Sequence, residues 1–324
     1  MRILFDTLRM LFLGEILIII GLYCSLCWLF DNLRGPMSIV IGGIKELVHK
    51  QTFSEKYGEW AVITGASDGI GKGYARYLAR KGMKIVLIAR NEEKLSCVAQ
   101  EITKTYLVQT KIIVANFCDG ESIYDHLKEK LNSLDVGILV NNVGLSYNRG
   151  MCVEQLAQQA LWDLLYVNIA PVTLLSHMLI PFMKQKRRGL IINVSSLSAA
   201  APAPYLTVYA AAKAYVRNFS IALRQELREF QVEVQTVLPG FVHTNMTDFV
   251  ASDEYKNSGI RKHLVLLDDY IRYAGFTIGK SDHTCGYWTH GLQYAGLKLI
   301  PEQFRVFVLQ MIYDKLRNGK EKNN

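Results

Sequence analysis

A chain of 324 residues, half of them apolar, can bury a sizeable core, which excludes disorder over most of its length. Its formal charge of +8 suits an anionic membrane surface, an acidic substrate or a phosphate-bearing cofactor, and no nucleic-acid-binding motif accompanies it. The six cysteines lack the density of a disulfide scaffold and the paired spacing of a zinc site, so a reducing compartment fits and no metal is expected.

From Leu11 to Phe30 the residues are apolar apart from Glu15 and a few small or weakly polar ones, close to the ~20 residues a transmembrane helix needs. Bulky Leu26, Trp28, Leu29 and Phe30 stand where a cleaved signal peptide carries small residues, so the segment reads as a retained anchor. Glu15 keeps open a helix packed on the protein or lying in the interface. Cys24 and Cys27 form a C-x-x-C inside this run with no strand before it, which favours membrane-embedded thiols over a redox pair.

After a loosely amphipathic stretch, Ser38 to Lys50, the pattern changes. Short runs rich in Val and Ile follow: Trp60 to Thr64, Lys84 to Ala89, Lys111 to Ala115, Val136 to Val140, Leu190 to Val194 and Val232 to Leu238. Such nearly continuous hydrophobicity marks strands buried on both faces. Between them lie segments long enough for crossover helices, among them Gly69 to Arg80, Asn91 to Thr105 and Val208 to Phe230. Asn91 before Glu92 and Glu93 looks like a helix cap. Lys184 to Arg188 reads as a solvated turn before the fifth strand. The alternation predicts an α/β fold, a Rossmann-type doubly wound parallel sheet with helices on both faces. Residues 1–57 are read as anchor and linker, 58–290 as the folded domain, and 291–324 as a packing or membrane-associated helix with a basic tail.

Directly after the first run comes TGASDGIG, Thr64 to Gly71, which opens into a helix. Glycines there let the backbone turn tightly and approach a pyrophosphate, while free N–H groups at the helix start attract the anion. Gly65, Ser67, Gly69, Ile70 and Gly71 are the candidate contributors. The second run ends in Ala89 and Arg90, with no carboxylate to bind ribose hydroxyls. Arg90 can instead pair with a 2′-phosphate, so NADP(H) is the expected cofactor; Lys72 either assists or is simply solvated.

Tyr209 and Lys213, four residues apart on one helix face, place an ammonium near a phenol. A free tyrosine ionises near pH ~10, and an adjacent cation brings it toward working pH, where it can give a proton to a carbonyl or take one from an alcohol.

Thr64 to Gly71 resembles the TGxxxGIG signature of short-chain dehydrogenases/reductases, and further motifs follow in that family's order from about Gly58 to Thr244. Asn142 and Gly144, in Asn141 to Gly144, resemble its NNAG with Val143 for alanine. Asn168 in VNIA resembles the asparagine that holds a water in the family's proton relay. Ser196, thirteen residues before Tyr209, resembles the serine that hydrogen-bonds the developing alkoxide, leaving Ser195 to support the strand end. Pro239, Gly240, Val242 and Thr244 resemble the P-G-x-x-x-T that contacts the nicotinamide end. Asn116 stands where the family usually has an aspartate for the adenine amino group, which implies weakened binding there.

The WAVITGASDGIGK opening, ILVNNVG and the late CGYWTH resemble the membrane-bound 17β-hydroxysteroid dehydrogenase and very-long-chain 3-oxoacyl-CoA reductase group. Some relatives called hydroxysteroid dehydrogenase-like carry phenylalanine for the tyrosine and are inactive, whereas Tyr209 is present here. The resemblance implies an NADP(H)-dependent oxidoreductase acting on a lipophilic carbonyl or secondary alcohol, in steroid metabolism or fatty acid elongation. The alternative is a silent NADP(H)-binding sensor or scaffold. Phe249 to Ile278 is expected to supply a substrate lid, and Ile300 to Tyr313 to rest on a membrane, pack on the core or contact a second copy in a homodimer. The tail Lys320 to Asn324, K-E-K-N-N, resembles a cytosolic retrieval signal of endoplasmic reticulum membrane proteins.

Overall fold

The computed structural model describes residues 2–48, 51–147, 151–251 and 259–318. The apolar runs become strands β1 (Trp60–Thr64), β2 (Lys84–Ala89), β3 (Thr110–Val114), β4 (Val136–Asn141), β5 (Gly189–Val194) and β6 (Val232–Val237). A further strand, β7 (His283–Thr284), is too short to leave a hydrophobic run in the sequence. All pairings are parallel, in the order β3-β2-β1-β4-β5-β6-β7. The chain steps outward from β1 to β3 and then returns to begin β4 beside β1. That reversal opens a crevice at the carboxyl ends of β1 and β4, the place where this class of sheet holds ligands.

Helices α1 (Arg2–Val48) and α2 (Phe53–Tyr57) precede the sheet. The crossovers supply α3 (Gly69–Arg80), α4 (Glu92–Tyr106), α5 (Ile123–Leu131), α6 (Gln158–Asn168), α7 (Ala170–Lys186) and α8 (Thr207–Leu227). After β6 come α9 (Asp248–Ala251), α10 (Leu267–Phe276), α11 (Trp288–Leu299) and α12 (Glu302–Asn318). Successive strand residues point to opposite faces, so Ile63, Val140 and Ile192 enter a core with Leu78, Leu95 and Tyr270. Their neighbours Val62, Leu139 and Ile191 enter a second core with Leu127, Leu175 and Leu223. This double burial is why the strands read as unbroken apolar runs.

Asn91 caps α4, its Oδ1 accepting from Lys94 N at 2.7 Å. The Lys184–Arg188 segment is less free than a solvated turn: Lys186 and Arg188 both pair with Asp135 at the approach to β4, and Lys184 lies over the Phe230 ring. The supposed linker from Ser38 onward is helical, the continuation of α1 as far as Val48. In α1 the stretch Phe12–Leu33 is long and apolar enough to cross a membrane, and none of it is buried. Gln158–Lys186, in α6 and α7, passes the same length test but carries Leu164, Val167, Leu175 and Leu179 into the body of the domain. The expected lid divides: residues 252–258 lie outside the described residues, while α10 packs Tyr270 and Ile271 into the core against α3 and is structural. The Lys320–Asn324 tail also lies outside the described residues.

Candidate active site

The turn between β1 and α3 is built by glycine where nothing else fits. Gly65 and Gly69 have φ of 64° and 54°, in the left-handed region that a Cβ disfavours. Gly71 is constrained by space: a Cβ there would overlap the Gly65 carbonyl oxygen. Ser67 and Ile70 lie partly exposed on the same turn. Asp68 caps α3 through Gly69 N at 2.7 Å, and its other carboxylate oxygen accepts from Asn245 in the loop after β6.

Two neighbouring loops hold this turn in place. The Thr64 hydroxyl oxygen accepts from the backbone N–H groups of Asn142 and Val143, each at 3.0 Å, and the Asn142 amide donates back to Thr64 O at 3.0 Å. From the other side, Thr244 lies so close that a Cβ on Gly69 would stand 3.0 Å from its methyl. The loop after β6 is fixed in turn: Val242 bridges to Val265, Pro239 O accepts from Leu197 N at 2.8 Å, and Gly240 N donates to His290 Nδ1 at 3.2 Å. The resulting cradle of closely approaching backbone at a helix start suits a dinucleotide pyrophosphate.

Arg90 is exposed at the end of β2, and no acidic residue follows it directly. Lys72 is committed elsewhere, pairing with Glu101 at 3.2 Å. Asn116 is also engaged: its Nδ2 donates to Asp119 Oδ1 at 2.7 Å and its Oδ1 accepts weakly from Cys118 N at 3.4 Å.

Tyr209 and Lys213 share the first turns of α8, with the ammonium nitrogen 5.7 Å from the phenol ring centre. Lys213 is buried, donates to Val194 O at 3.2 Å, and is pushed down to about 8 by desolvation of its charge. Tyr209 is raised by desolvation, while hydrogen bonding to Ser196 pulls it the other way. The two adjacent serines turn apart. Ser195 Oγ donates to the Lys213 carbonyl at 2.7 Å and locks β5 to α8, whereas Ser196 stands at the phenol and caps the following turn through Ser198 N at 3.1 Å.

Asn168 is fully buried at the end of α6 and clamps the loop after β4: it donates to Leu145 O and Leu164 O and accepts from Leu145 N. Gly144 is where it meets the lysine, since a Cβ there would lie 3.2 Å from Lys213 Nζ and 3.3 Å from Asn168 Oδ1. Phenol, ammonium, serine hydroxyl and asparagine amide thus converge beside the glycine cradle, an arrangement able to pass a proton to or from an oxygen held at Tyr209 and Ser196.

Three contributors are not evident as such from the sequence. The Thr64 bridge depends on contact between loops 78 residues apart. His290 belongs to the CGYWTH stretch, but its buried ring reveals its purpose only on contact with Gly240. Tyr147 sits in irregular chain with no pattern around it, its phenol near the backbone N–H groups of Val208 and Tyr209 where α8 begins but outside hydrogen-bond geometry.

A family model described as short chain dehydrogenase matches residues 59–255. The human protein named "Inactive hydroxysteroid dehydrogenase-like protein 1" is 40% identical over 277 residues, 85% of this chain and 82% of its own. The very-long-chain 3-oxoacyl-CoA reductase of Anas platyrhynchos is 38% identical, covering 75% of this chain and 76% of its own. Human 17-beta-hydroxysteroid dehydrogenase type 3 is 35% identical, covering 89% and 90%. Among solved structures, a short-chain dehydrogenase from Sphingobium yanoikuyae in complex with NADPH superposes with a TM-score of 0.64 at 26% identity, over 70% of this chain and 86% of its own.

Proposed function

Because the chain belongs to the short-chain dehydrogenase family, we propose that it is an NADP(H)-dependent oxidoreductase that interconverts a carbonyl and a secondary alcohol on a lipophilic substrate. The observation that carries this reading is Tyr209 beside the buried Lys213 ammonium, with Ser196 at the phenol. A bound nicotinamide supplies or takes the hydride. In the reductive direction Ser196 steadies the substrate oxygen, Tyr209 delivers the proton, and the Lys213 charge favours the phenolate left behind. In the oxidative direction the same groups act in reverse.

Arg90 supports the choice of NADP(H), since its position at the end of β2 suits a 2′-phosphate and its neighbours Ala89 and Asn91 are uncharged. The relatives named for 3-oxoacyl-CoA and 17β-hydroxysteroid chemistry support a long-chain 3-oxoacyl-CoA or a 17-ketosteroid as substrate. The unburied apolar stretch Phe12–Leu33 supports a membrane anchor, and the four free cysteines of the folded domain, Cys97, Cys118, Cys152 and Cys285, suit a cytosolic catalytic domain. Our reading places that membrane at the endoplasmic reticulum.

The 40% identity to a human protein named inactive favours a second reading, a silent nucleotide-binding protein. Membranes carrying the chain separate the two. On the first reading they oxidise NADPH with a long-chain 3-oxoacyl-CoA or a 17-ketosteroid, and Tyr209→Phe lowers turnover at least ~10²-fold, the scale of lost general acid catalysis, while NADPH still raises the melting temperature. Equal turnover by the variant would sink the mechanism. No turnover across a broad carbonyl panel, with nucleotide stabilisation intact, would favour the second reading.

A further inference from the structure

Amphipathic helices on a water-soluble domain turn their apolar stripe inward. Helix α12 does the opposite. Phe304, Phe307, Val308 and Met311, at the i, i+3, i+4, i+7 spacing of a single face, are all exposed, while Arg305, Val306 and Leu309 are the partly covered side. Helix α11 repeats the pattern, exposing Trp288, Leu292 and Leu299 along one line and burying His290 and Tyr294. An outward apolar surface continued over two consecutive helices marks a docking face.

Its occupant is indicated by α1. The apolar stretch Phe12–Leu33 ends beside this same corner of the domain: Asp31 pairs with Lys298 at 3.8 Å, one residue before the exposed Leu299. Beyond it, Gly35 lies against the His283 carbonyl and Gly42 against Lys280, so α1 runs on along the edge of the domain. There Met37, Val40, Ile41 and Ile44 form another outward stripe. A span that leaves the bilayer at Asp31 brings the junction of α11 and α12 to the lipid surface.

Inward, α12 is fastened to the candidate active site. Arg305 donates to the carbonyl of Ala200, in the turn that Ser196 caps, and the Tyr205 hydroxyl donates to Asp314 at 2.8 Å. Tyr205 lies four residues before Tyr209 with φ of 63°, a conformation that needs such ties to persist. We infer that α11 and α12 form a monotopic bilayer-docking surface, occupied by phospholipid acyl chains, and that α12 carries the rim of the active site to the membrane so that substrate enters from lipid. The entry route rests on the enzymatic reading above; the docking does not.

Depth measurement tests the docking without any turnover. In full-length protein with Cys24, Cys27 and Cys97 replaced by serine, an environment-sensitive fluorophore is attached at Phe307→Cys, Leu292→Cys or Glu129→Cys. The same background without an added cysteine serves as blank. In phosphatidylcholine vesicles containing acyl-chain nitroxide lipid, the labels at 307 and 292 are quenched and the label on α5 at 129 is not. Labels at 307 and 292 that stay bright in vesicle-bound protein overturn the proposal, as does disulfide cross-linking between copies through Phe307→Cys without quenching, which assigns the face to a second copy.

The route is tested with Phe304→Asp combined with Phe307→Asp, the NADPH-induced melting shift serving as control for folding. The variant stays with the membrane through α1, and its KM for a lipophilic ketone in vesicles rises about tenfold while KM for a water-soluble ketone stays unchanged. An equal rise for both substrates overturns the route. Absence of all turnover counts against the enzymatic reading and leaves the quenching to decide the docking.

Discussion

Lys213 holds its charge where water is nearly excluded, and that has a thermodynamic signature. Its folded pKa, about 8, lies below the ordinary 10.5. Between these values the unfolded chain binds the extra proton, so the group makes stability rise with pH across this window and imposes its full cost below it. Lys213→Met removes at most about 3 kcal/mol of that cost and returns about 1 kcal/mol through the lost bond to Val194 O. The variant is therefore expected to melt higher than the parent at pH 7, with the gap closing by pH ~10, while turnover disappears. Unfolding followed across pH checks this, and a gap that does not change with pH would show that the lysine is not the cause. Arg90 tests the other pole of the site. If it reads the 2′-phosphate, Arg90→Ala raises KM for NADPH by roughly tenfold to a hundredfold, the worth of a charge-assisted hydrogen bond, and leaves KM for NADH within about twofold. Steady-state kinetics with both cofactors decides, and parallel changes would remove Arg90 from that role.

At the scale of elements, what the sequence revealed follows from how each element is buried. Strands β1, β2, β4, β5 and β6 are covered on both faces and announce themselves as Val- and Ile-rich runs, and the turn after β1 carries glycines that its geometry demands. Strand β7 has two residues and no run to read, and α10 hides a core role inside a segment that looks like a lid because its burial depends on the distant Gly73. The clustering of Ser196, Tyr209, Lys213 and Asn168 was legible from spacing and resemblance; the loop-to-loop bonds that hold them were not, since hydrogen bonds across 78 residues leave no local pattern. Thr64 is the sharpest such case. One buried hydroxyl serves two backbone N–H groups at the end of β4 and donates to Val140 O at 3.3 Å. Thr64→Val keeps the shape and strands those donors, at a cost of about 1–3 kcal/mol for each left without water. The expected result is a lower melting temperature together with weaker NADPH binding, read by calorimetry. Loss of stability with unchanged nucleotide affinity would mean that the cradle does not depend on this bridge.

The whole molecule divides its polarity unevenly: a domain with charged surfaces is joined to a helix whose stretch Phe12–Leu33 is apolar apart from Glu15, Asp31 and a few weakly polar residues, and unburied. Glu15 argues against a span less strongly than its charge alone suggests. It lies about 11 Å along the helix from the middle of that stretch, at the 1.5 Å rise per residue, and so near the edge of a hydrocarbon core of half-thickness ~15 Å. Asp31 sits close to the opposite end, paired with Lys298 of the domain. Neither carboxylate needs to occupy the bilayer centre. The formal charge of +8 offers a competing attachment, electrostatic adsorption to anionic lipid, and the two differ in their response to salt. At 1 M salt the screening length falls to about 3 Å, and adsorbed protein is released. An inserted apolar helix is held by hydrophobic transfer, which salt does not weaken. Washing membranes with 1 M sodium chloride is thus expected to leave the protein in the pellet, with release only by detergent. Recovery in the salt wash would reject the span and leave attachment to charge.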